Sequence, residues 1–121
     1  MPISRPLADD VLHFDLEEER LRLAASDALG RTGRSARTLV KDGPLRVTLI
    51  GLGAGGRLAE HQADGPITIH AVHGTLRVDA RGERRSLAPG EVLALGGGVE
   101  HAVESEAGAT FLLTVAVAGG T

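Results

Sequence analysis

Four of the five histidines in this chain lie in two short stretches, EHQADGPITIHAVHG and GGGVEHAVES. The first contains His61, His70 and His73, and the second contains His101. An imidazole can bind a transition metal, transfer a proton near neutral pH or hydrogen-bond a ligand. The chain has no cysteine, so any transition-metal site must use histidine, carboxylate or amide ligands. Its chemistry depends on which of these imidazoles the fold brings together.

The composition limits the classes of partner. The net charge of −3 argues against binding to nucleic acid, which needs a basic surplus. No apolar run approaches the roughly 18 residues of a membrane span, so we expect no membrane partner. The N-terminal sequence MPISRPLADDV lacks the apolar segment of a signal peptide, so we expect a cytoplasmic protein. The absence of tyrosine and tryptophan argues against aromatic stacking of bases or sugars and excludes a phenolic general acid.

One helix is predicted over residues 15–29, DLEEERLRLAASDAL. Asp15 can cap its N-terminus, and Glu18 completes the spacing of a capping box. Gly30 stands where a left-handed residue is expected to end the helix. Arg31, Arg34, Arg37 and Lys41 form a basic cluster after it, which we interpret as a solvated loop leading into a strand.

From Thr38 onward, short strand-like segments alternate with turns rich in glycine, proline and aspartate. In one of them Leu45, Val47 and Leu49 alternate with polar residues, as in a half-buried strand. Many short strands at this spacing indicate an antiparallel sandwich or barrel, so the fold class is all-β. We predict an N-terminal arm with one helix over 1–37, packed on a β-barrel over 38–121.

The segment GLGAGG at 51–56 satisfies the GxGxxG spacing of dinucleotide-binding loops and follows a predicted strand. That motif requires a helix at the glycines and a return to a parallel strand. Only RLAEHQAD remains before Gly65 and Pro66 end the segment, which is too short for such a helix. We therefore predict a loop between antiparallel strands.

Residues 51–115 resemble the two sequence motifs of the cupins. The first cupin motif runs G, five residues, His-x-His, three or four residues, Glu, six residues, Gly. Gly55, His61 and Gly74 stand at its matching positions. The resemblance implies a double-stranded antiparallel barrel, or jelly roll, and small cupins resemble one another in forming homodimers.

The second cupin motif runs G, five residues, P-x-G, two residues, His, three residues, Asn. Gly90, Gly98 and His101 match it, whereas Gly96 replaces the proline and Ser105 the asparagine. The turn APGE before the strand EVLAL also resembles the usual turn of the family. Together the two motifs cover just over half of the chain.

The resemblance implies a divalent metal, such as Zn, Fe, Ni or Mn, held by three histidines and a glutamate. Only His61 and His101 remain of these four ligands, because Ala63 and Ile67 replace the second histidine and the glutamate. The resemblance places His61, His101, Ala63 and Ile67 inside the barrel. By strand alternation Ile69 shares their side and completes the expected ligand-binding set.

Alternation also bears on the third imidazole. If Ile67 points inward, Ala71 and His73 do so too, whereas His70 points outward unless a β-bulge shifts the strand. With that shift His61, His70 and His101 would form a three-histidine metal site. Otherwise His73 lies at the rim of the barrel.

A carboxylate is the other possible third ligand. Glu60 and Glu104 fall on the outer face by alternation, and Asp64 falls in a loop. Two neutral imidazoles in an apolar pocket would hold a divalent ion poorly, because nothing offsets the desolvation of the ion. The predicted core gives a test of the register through residues expected to be largely buried: Ile67, Ile69, Ala71, Leu93, Leu95, Val103, Leu113 and Val115.

Four functions remain open. We favour a binding protein that holds a small molecule or anion at His61 and His101. The main alternative is a metal-dependent dioxygenase or isomerase in which His70 or a carboxylate completes the site. The two histidines could also act as metal-free acid and base catalysts. Finally, the chain could be a homodimeric regulatory module that pairs through an exposed edge strand such as RTLVKD.

Overall fold

The computed structural model describes residues 6–117, which form two antiparallel sheets packed face to face with two short helices outside them. The predicted arm and barrel therefore each extend into termini, 1–5 and 118–121, that lie outside the described residues. The division between arm and barrel stays a prediction. The helices are α1 (Leu16–Ala24) and α2 (Asp27–Thr32), and the strands are β1 (Arg34–Asp42), β2 (Leu45–Leu52), β3 (Arg57–His61), β4 (Ile67–His73), β5 (Leu76–Ala80), β6 (Glu83–Leu87), β7 (Val92–Leu95), β8 (His101–Glu104) and β9 (Ala109–Ala116).

The strand order is that of a jelly roll, which confirms the all-β prediction. One sheet has the order β1-β2-β9-β4-β7 and the other the order β3-β8-β5-β6. The segment GLGAGG spans the end of β2 and the turn into β3, which begins at Arg57, so a strand and not a helix follows the glycines. Among the residues that the structure describes, no helix is long and apolar enough to cross a membrane.

The predicted single helix is two helices. The Asp15 side chain accepts hydrogen bonds from the backbone amides of Glu17 and Glu18, which confirms its role as N-cap. Ser26 then caps the second helix by accepting from the amide of Ala28, and this local hydrogen bond interrupts the predicted segment. The left-handed residue that ends the second helix is Gly33 rather than Gly30.

The outer face of the five-stranded sheet is covered by α1. Leu23 of this helix packs with the buried Leu39 and Leu49 of β1 and β2. Glu19 is only 2% exposed, and its carboxylate accepts hydrogen bonds from the Arg37 Nε at 3.2 Å and the Arg22 guanidinium at 3.3 Å. Arg37, interpreted from sequence as part of a solvated cluster, therefore links β1 to the helix.

Glu19→Gln is expected to lower the free energy of unfolding by about 1–2 kcal/mol, because it weakens charge-assisted hydrogen bonds in a buried position. Glu18→Gln is the matched control, since Glu18 pairs with Arg22 at 2.8 Å but its side chain is 61% exposed. We expect the control to change stability by less than about 0.5 kcal/mol. Urea denaturation of both variants measures the difference, and equal effects would contradict a structural role for Glu19.

The register of β4 agrees with the prediction. Ile67, Ile69 and Ala71 are buried in the core between the sheets, together with Val103 of β8. The other four residues of the predicted core pack against this cluster but are only partly buried: Leu93, Leu95, Leu113 and Val115. They face the interior and lie toward one end of it. This end, where inner apolar side chains stay partly exposed, is the open end of the interior.

The predicted pairing edge is partly occupied. β1 is an edge strand of the five-stranded sheet, as expected for RTLVKD. However, the backbone amide of Lys41 donates a hydrogen bond to the carbonyl of Leu7 at 2.8 Å. The chain's own N-terminal segment therefore uses one donor of this edge, and homodimerisation stays a prediction.

Candidate functional site

Strands β3 and β8 bring His61 and His101 together. Leu58 pairs with Val103, and the next registered pair is His61 with His101, so β3 contains one extra residue between these pairs. Regular alternation would place His61 on the face opposite Leu58. The β-bulge returns it to the inner face beside His101, as bulges near barrel sites commonly do.

The two imidazole rings are in contact, with centroids 4.2 Å apart and planes inclined by 58°. His101 is only 2% exposed and its Nδ1 lies 3.0 Å from the carbonyl oxygen of Val99. His61 is exposed and its Nδ1 lies 2.8 Å from the carbonyl oxygen of Ala59. Because a carbonyl oxygen can only accept, Nδ1 is the donor in both rings. In the neutral form each Nε2 then carries a lone pair.

The Nε2 of His101 is the unusual atom of the pair. None of the residues from 6 to 117 forms a hydrogen bond with it, although the side chain is almost completely buried. Buried polar atoms in proteins are nearly always hydrogen-bonded to protein, water or ligand. This nitrogen therefore marks the place where a bound molecule would gain most from a polar contact.

The other residues of the expected binding set differ in how they could contribute. Ala63 is partly buried and packs against the core, and its carbonyl accepts a hydrogen bond from the amide of Gly98. Ile67 is buried, and Ile69 is completely enclosed. The structure thus places all three on the interior side, and contact with a ligand stays a prediction.

The fold does not bring His70 close to His61 and His101. It is opposite Val92 and Leu112 in an unshifted part of β4, on the face away from Ile69 and Ala71. The irregularity of β4 comes only after Ala71, so the bulge that a three-histidine site needs before His70 is missing from this strand. His70 therefore points outward, and the bulge near the site is in β3 instead.

His73 lies at the opposite end of β4 and is exposed. It is close enough to Glu17 to contribute to the lowered pKa of that carboxyl, whose main cause is the hydrogen bond from Arg20. His73 is therefore a surface residue beside α1, distant from His61 and His101 along the strand.

The donor set does not fit the metal that the cupin resemblance implies. Within the described part of the chain, no group of three histidine, aspartate or glutamate side chains is placed to hold a metal ion. Glu104 is engaged on the outer face with Arg57 and Arg84. Two neutral imidazoles beside Ala63 and Ile67 do not offset the cost of desolvating a divalent ion.

A polar groove of about 620 Å³ lies beside the pair, and neither imidazole lines it. Glu60 and Glu100, the sequence neighbours of the two histidines, form part of its wall. Two of its charged side chains form an ion pair within the lining. Arg84 donates to Asp79 at 2.9 Å, and this hydrogen bond lowers the pKa of the Asp79 carboxyl. The groove is therefore a polar rim next to the histidines.

Two cations on the inner face were not predicted from the sequence. Arg46 is registered with Val115, which is registered with Ile67, so all three side chains share the inner face. Lys41 is registered with Arg46 and shares that face as well. The alternation of Leu45, Val47 and Leu49 suggested that Arg46 faced solvent, whereas α1 covers Leu49 on the outside and leaves Arg46 on the interior side.

Solved structures resemble this fold. A cupin superfamily protein from Desulfitobacterium hafniense superposes with a TM-score of 0.67 and 15% identity over 69% of this chain and 77% of its own. A conserved protein of unknown function from Streptococcus pyogenes gives 0.70 and 18% over 95% and 97%. The chain has the cupin fold. The four glycines that matched the cupin motifs, Gly55, Gly74, Gly90 and Gly98, all have positive φ.

This chain also resembles one part of a larger enzyme. Salicylate 1,2-dioxygenase from Pseudoaminobacter salicylatoxidans, in a structure with gentisate, gives a TM-score of 0.79 and 17% identity. The similarity covers 93% of this chain but only 35% of the dioxygenase chain. No protein-family model and no curated protein sequence matches the chain. At these identities the similarity shows the fold alone.

Proposed function

We propose that this chain is a binding protein that holds a small molecule between its two sheets, at the end that contains His61 and His101. The observation that carries the proposal is the buried Nε2 of His101, which has no partner among the described residues. Its Nδ1 is fixed by the Val99 carbonyl, so Nε2 is held in one orientation and a ligand need not order the ring.

The open end of the interior supports this location. The loop after β3 bonds to the loop before β8 through Gly98 and Ala63. The first of these loops leads into β4 at Ile67, and the second follows β7 after Leu95. The histidines are therefore at the end of the barrel where inner-facing apolar side chains remain partly exposed, and a ligand there would cover them. Burial of apolar surface contributes about 25 cal/mol per Å².

The metal-dependent dioxygenase or isomerase is the less favoured alternative. The salicylate dioxygenase shares the fold, but this chain supplies only two imidazoles where a stable divalent site needs further donors. Metal-free acid and base catalysis is also weakly supported, because both Nδ1 atoms bond to backbone carbonyls and neither bonds to an orienting carboxylate.

The proposal predicts that His101→Asn weakens binding at least about tenfold, as expected for loss of one hydrogen bond to a buried group. Asparagine can keep the bond to Val99 because its amide occupies the place of Nδ1, while Nε2 is removed. The probes are a panel of small fragments with equal numbers of anionic, cationic and neutral members. Binding is measured by two-dimensional ¹⁵N NMR of the histidine rings and backbone.

His70→Asn is the matched control, because the same change on the outer face should leave every affinity within about twofold. Folding of both variants is checked by the dispersion of their amide spectra. Fragments that shift His101 in the wild type and lose affinity only in His101→Asn support the proposal. A panel with no member that shifts His61 or His101, or equal losses in both variants, would overturn it.

A further inference from the structure

The inner face of the five-stranded sheet carries two cations at the open end. Arg46 donates hydrogen bonds to the backbone carbonyls of Gly43 and Leu45 and forms no ion pair with a carboxylate of the described residues. Lys41 likewise forms none within that part of the chain. Arg46 and Lys41 are in register with Val115 and Ile67 across the sheet. This line of paired residues lies at the histidine end of the interior.

The remaining inner-face charges do not cancel these cations. On the four-stranded sheet, Arg85 is registered with the buried Val78, and Glu83 with Ala80. Arg85 and Glu83 pair with each other at 2.6 Å, so they neutralise one another at the edge. At the other end of the first sheet Arg34 adds a further inner cation. The inner-face positions of the strands thus carry a surplus of positive charge, although the whole chain has a net charge of −3 and Glu60 and Glu100 line the groove beside the histidines.

We infer that the ligand held at this end of the interior is a small organic anion with an apolar body, such as a carboxylate. The inference rests on the proposed function and names its ligand class. The anionic group would lie near His101 with Arg46 and Lys41 at the same end, and the apolar body would cover Leu113 and Leu95. Arg46 is half-buried, and a charge at a partly desolvated position is screened less than a charge on an open surface, so Arg46 favours an anion. Lys41 is exposed and contributes less.

The test compares three straight-chain probes that each contain six carbon atoms and differ in the charge of the head group: hexanoate, hexan-1-ol and hexylamine. We expect hexanoate to bind at least about fivefold more tightly than hexanol, with hexylamine the weakest, because one ion pair near a protein surface contributes about this factor. Affinity for hexanoate should fall as salt is raised, while affinity for hexanol should not. Binding is measured by NMR titration of the wild-type protein at neutral pH.

Arg46→Gln is expected to lower the affinity for hexanoate about fivefold and to leave the affinity for hexanol unchanged. Arg57→Gln is the matched control, because Arg57 lies on the outer face and pairs with Glu104 at 3.3 Å. A change in hexanoate affinity confined to Arg46→Gln distinguishes charge recognition from a general loss of structure, which would weaken both probes.

The outcomes separate the two proposals. If hexanol or hexylamine binds at His101 as tightly as hexanoate, the anion inference is overturned and the binding function stands. If none of the three binds but fragments of the balanced panel do, the charge of those fragments decides: anionic ones support the inference and others overturn it. If no probe or fragment reaches His101, the proposed function fails, and the inference fails with it.

Discussion

Replacing Phe111 with alanine is expected to lower the free energy of unfolding by about 3–5 kcal/mol, the range measured for removal of a fully buried aromatic ring. Phe111 is 1% exposed. It is registered with Ile50 on one side and with Ala71 on the other, so its ring lies in the middle of the five-stranded sheet on the inner face. Close-packed neighbours relax only partly when a buried ring is removed, so a cavity would remain.

Leu113→Ala is the control for this prediction, because Leu113 is on the same strand and the same face but is only partly buried at the open end. We expect it to cost about 1–2 kcal/mol, since less apolar area returns to water and solvent can fill the gap. The free energies of unfolding of both variants are measured by urea denaturation, with the same dependence on urea concentration used for both. Similar losses for the two variants would show that the interior is as closed at the histidine end as in its centre.

Replacing Gly74 with alanine is expected to destabilise the protein by about 2–5 kcal/mol through two separate effects. Gly74 has φ +72°, a backbone conformation that is strained for any residue with a β-carbon. In addition, a β-carbon on Gly74 would lie 2.3 Å from the carbonyl oxygen of Gly108 and 3.0 Å from the Cα of Ala109. These are backbone atoms, so the turn between β4 and β5 would have to move.

Gly82→Ala isolates the first effect. Gly82 has φ +75°, nearly the same conformation, but no atom lies within 4 Å of the position of its added β-carbon. The control should therefore cost about 1–2 kcal/mol, the conformational term alone. Thermal and urea denaturation of the two variants give the steric contribution as their difference. If both lose the same amount, the close approach of the 74–75 turn to Gly108 does not constrain the fold.

The site combines a shared fold with a different set of side chains. Ala63 and Ile67 leave two imidazoles where the cupin resemblance implies four ligands. The bulge of β3 still brings these two rings into contact, and Arg46 enters the same end of the interior from the other sheet. The same fold thus carries a different set of donor atoms in this chain, in keeping with the general rule that function lies in the site and not in the fold.

The sequence by itself determined the architecture, and it singled out His61 and His101, whose rings are in contact. Gly55, Gly74, Gly90 and Gly98 predicted the cupin jelly roll, and all four occupy turns with positive φ, where glycine is the residue with the least strain. The period-two pattern of β4 also gave its inner face correctly, because alternation is a local property of an extended chain. The cap at Asp15 is local in the same sense.

Only the tertiary structure decided which side of each strand faces the interior and how far the interior is closed. Leu49 and Arg46 alternate whether β2 is covered by a helix or by the other sheet, so the sequence does not tell which of them faces the barrel. The bulge that turns His61 inward depends on the partner strand β8. The partial exposure of Leu95 and Val115 depends on how the two sheets diverge. These are properties of long-range packing, which short-range patterns do not encode.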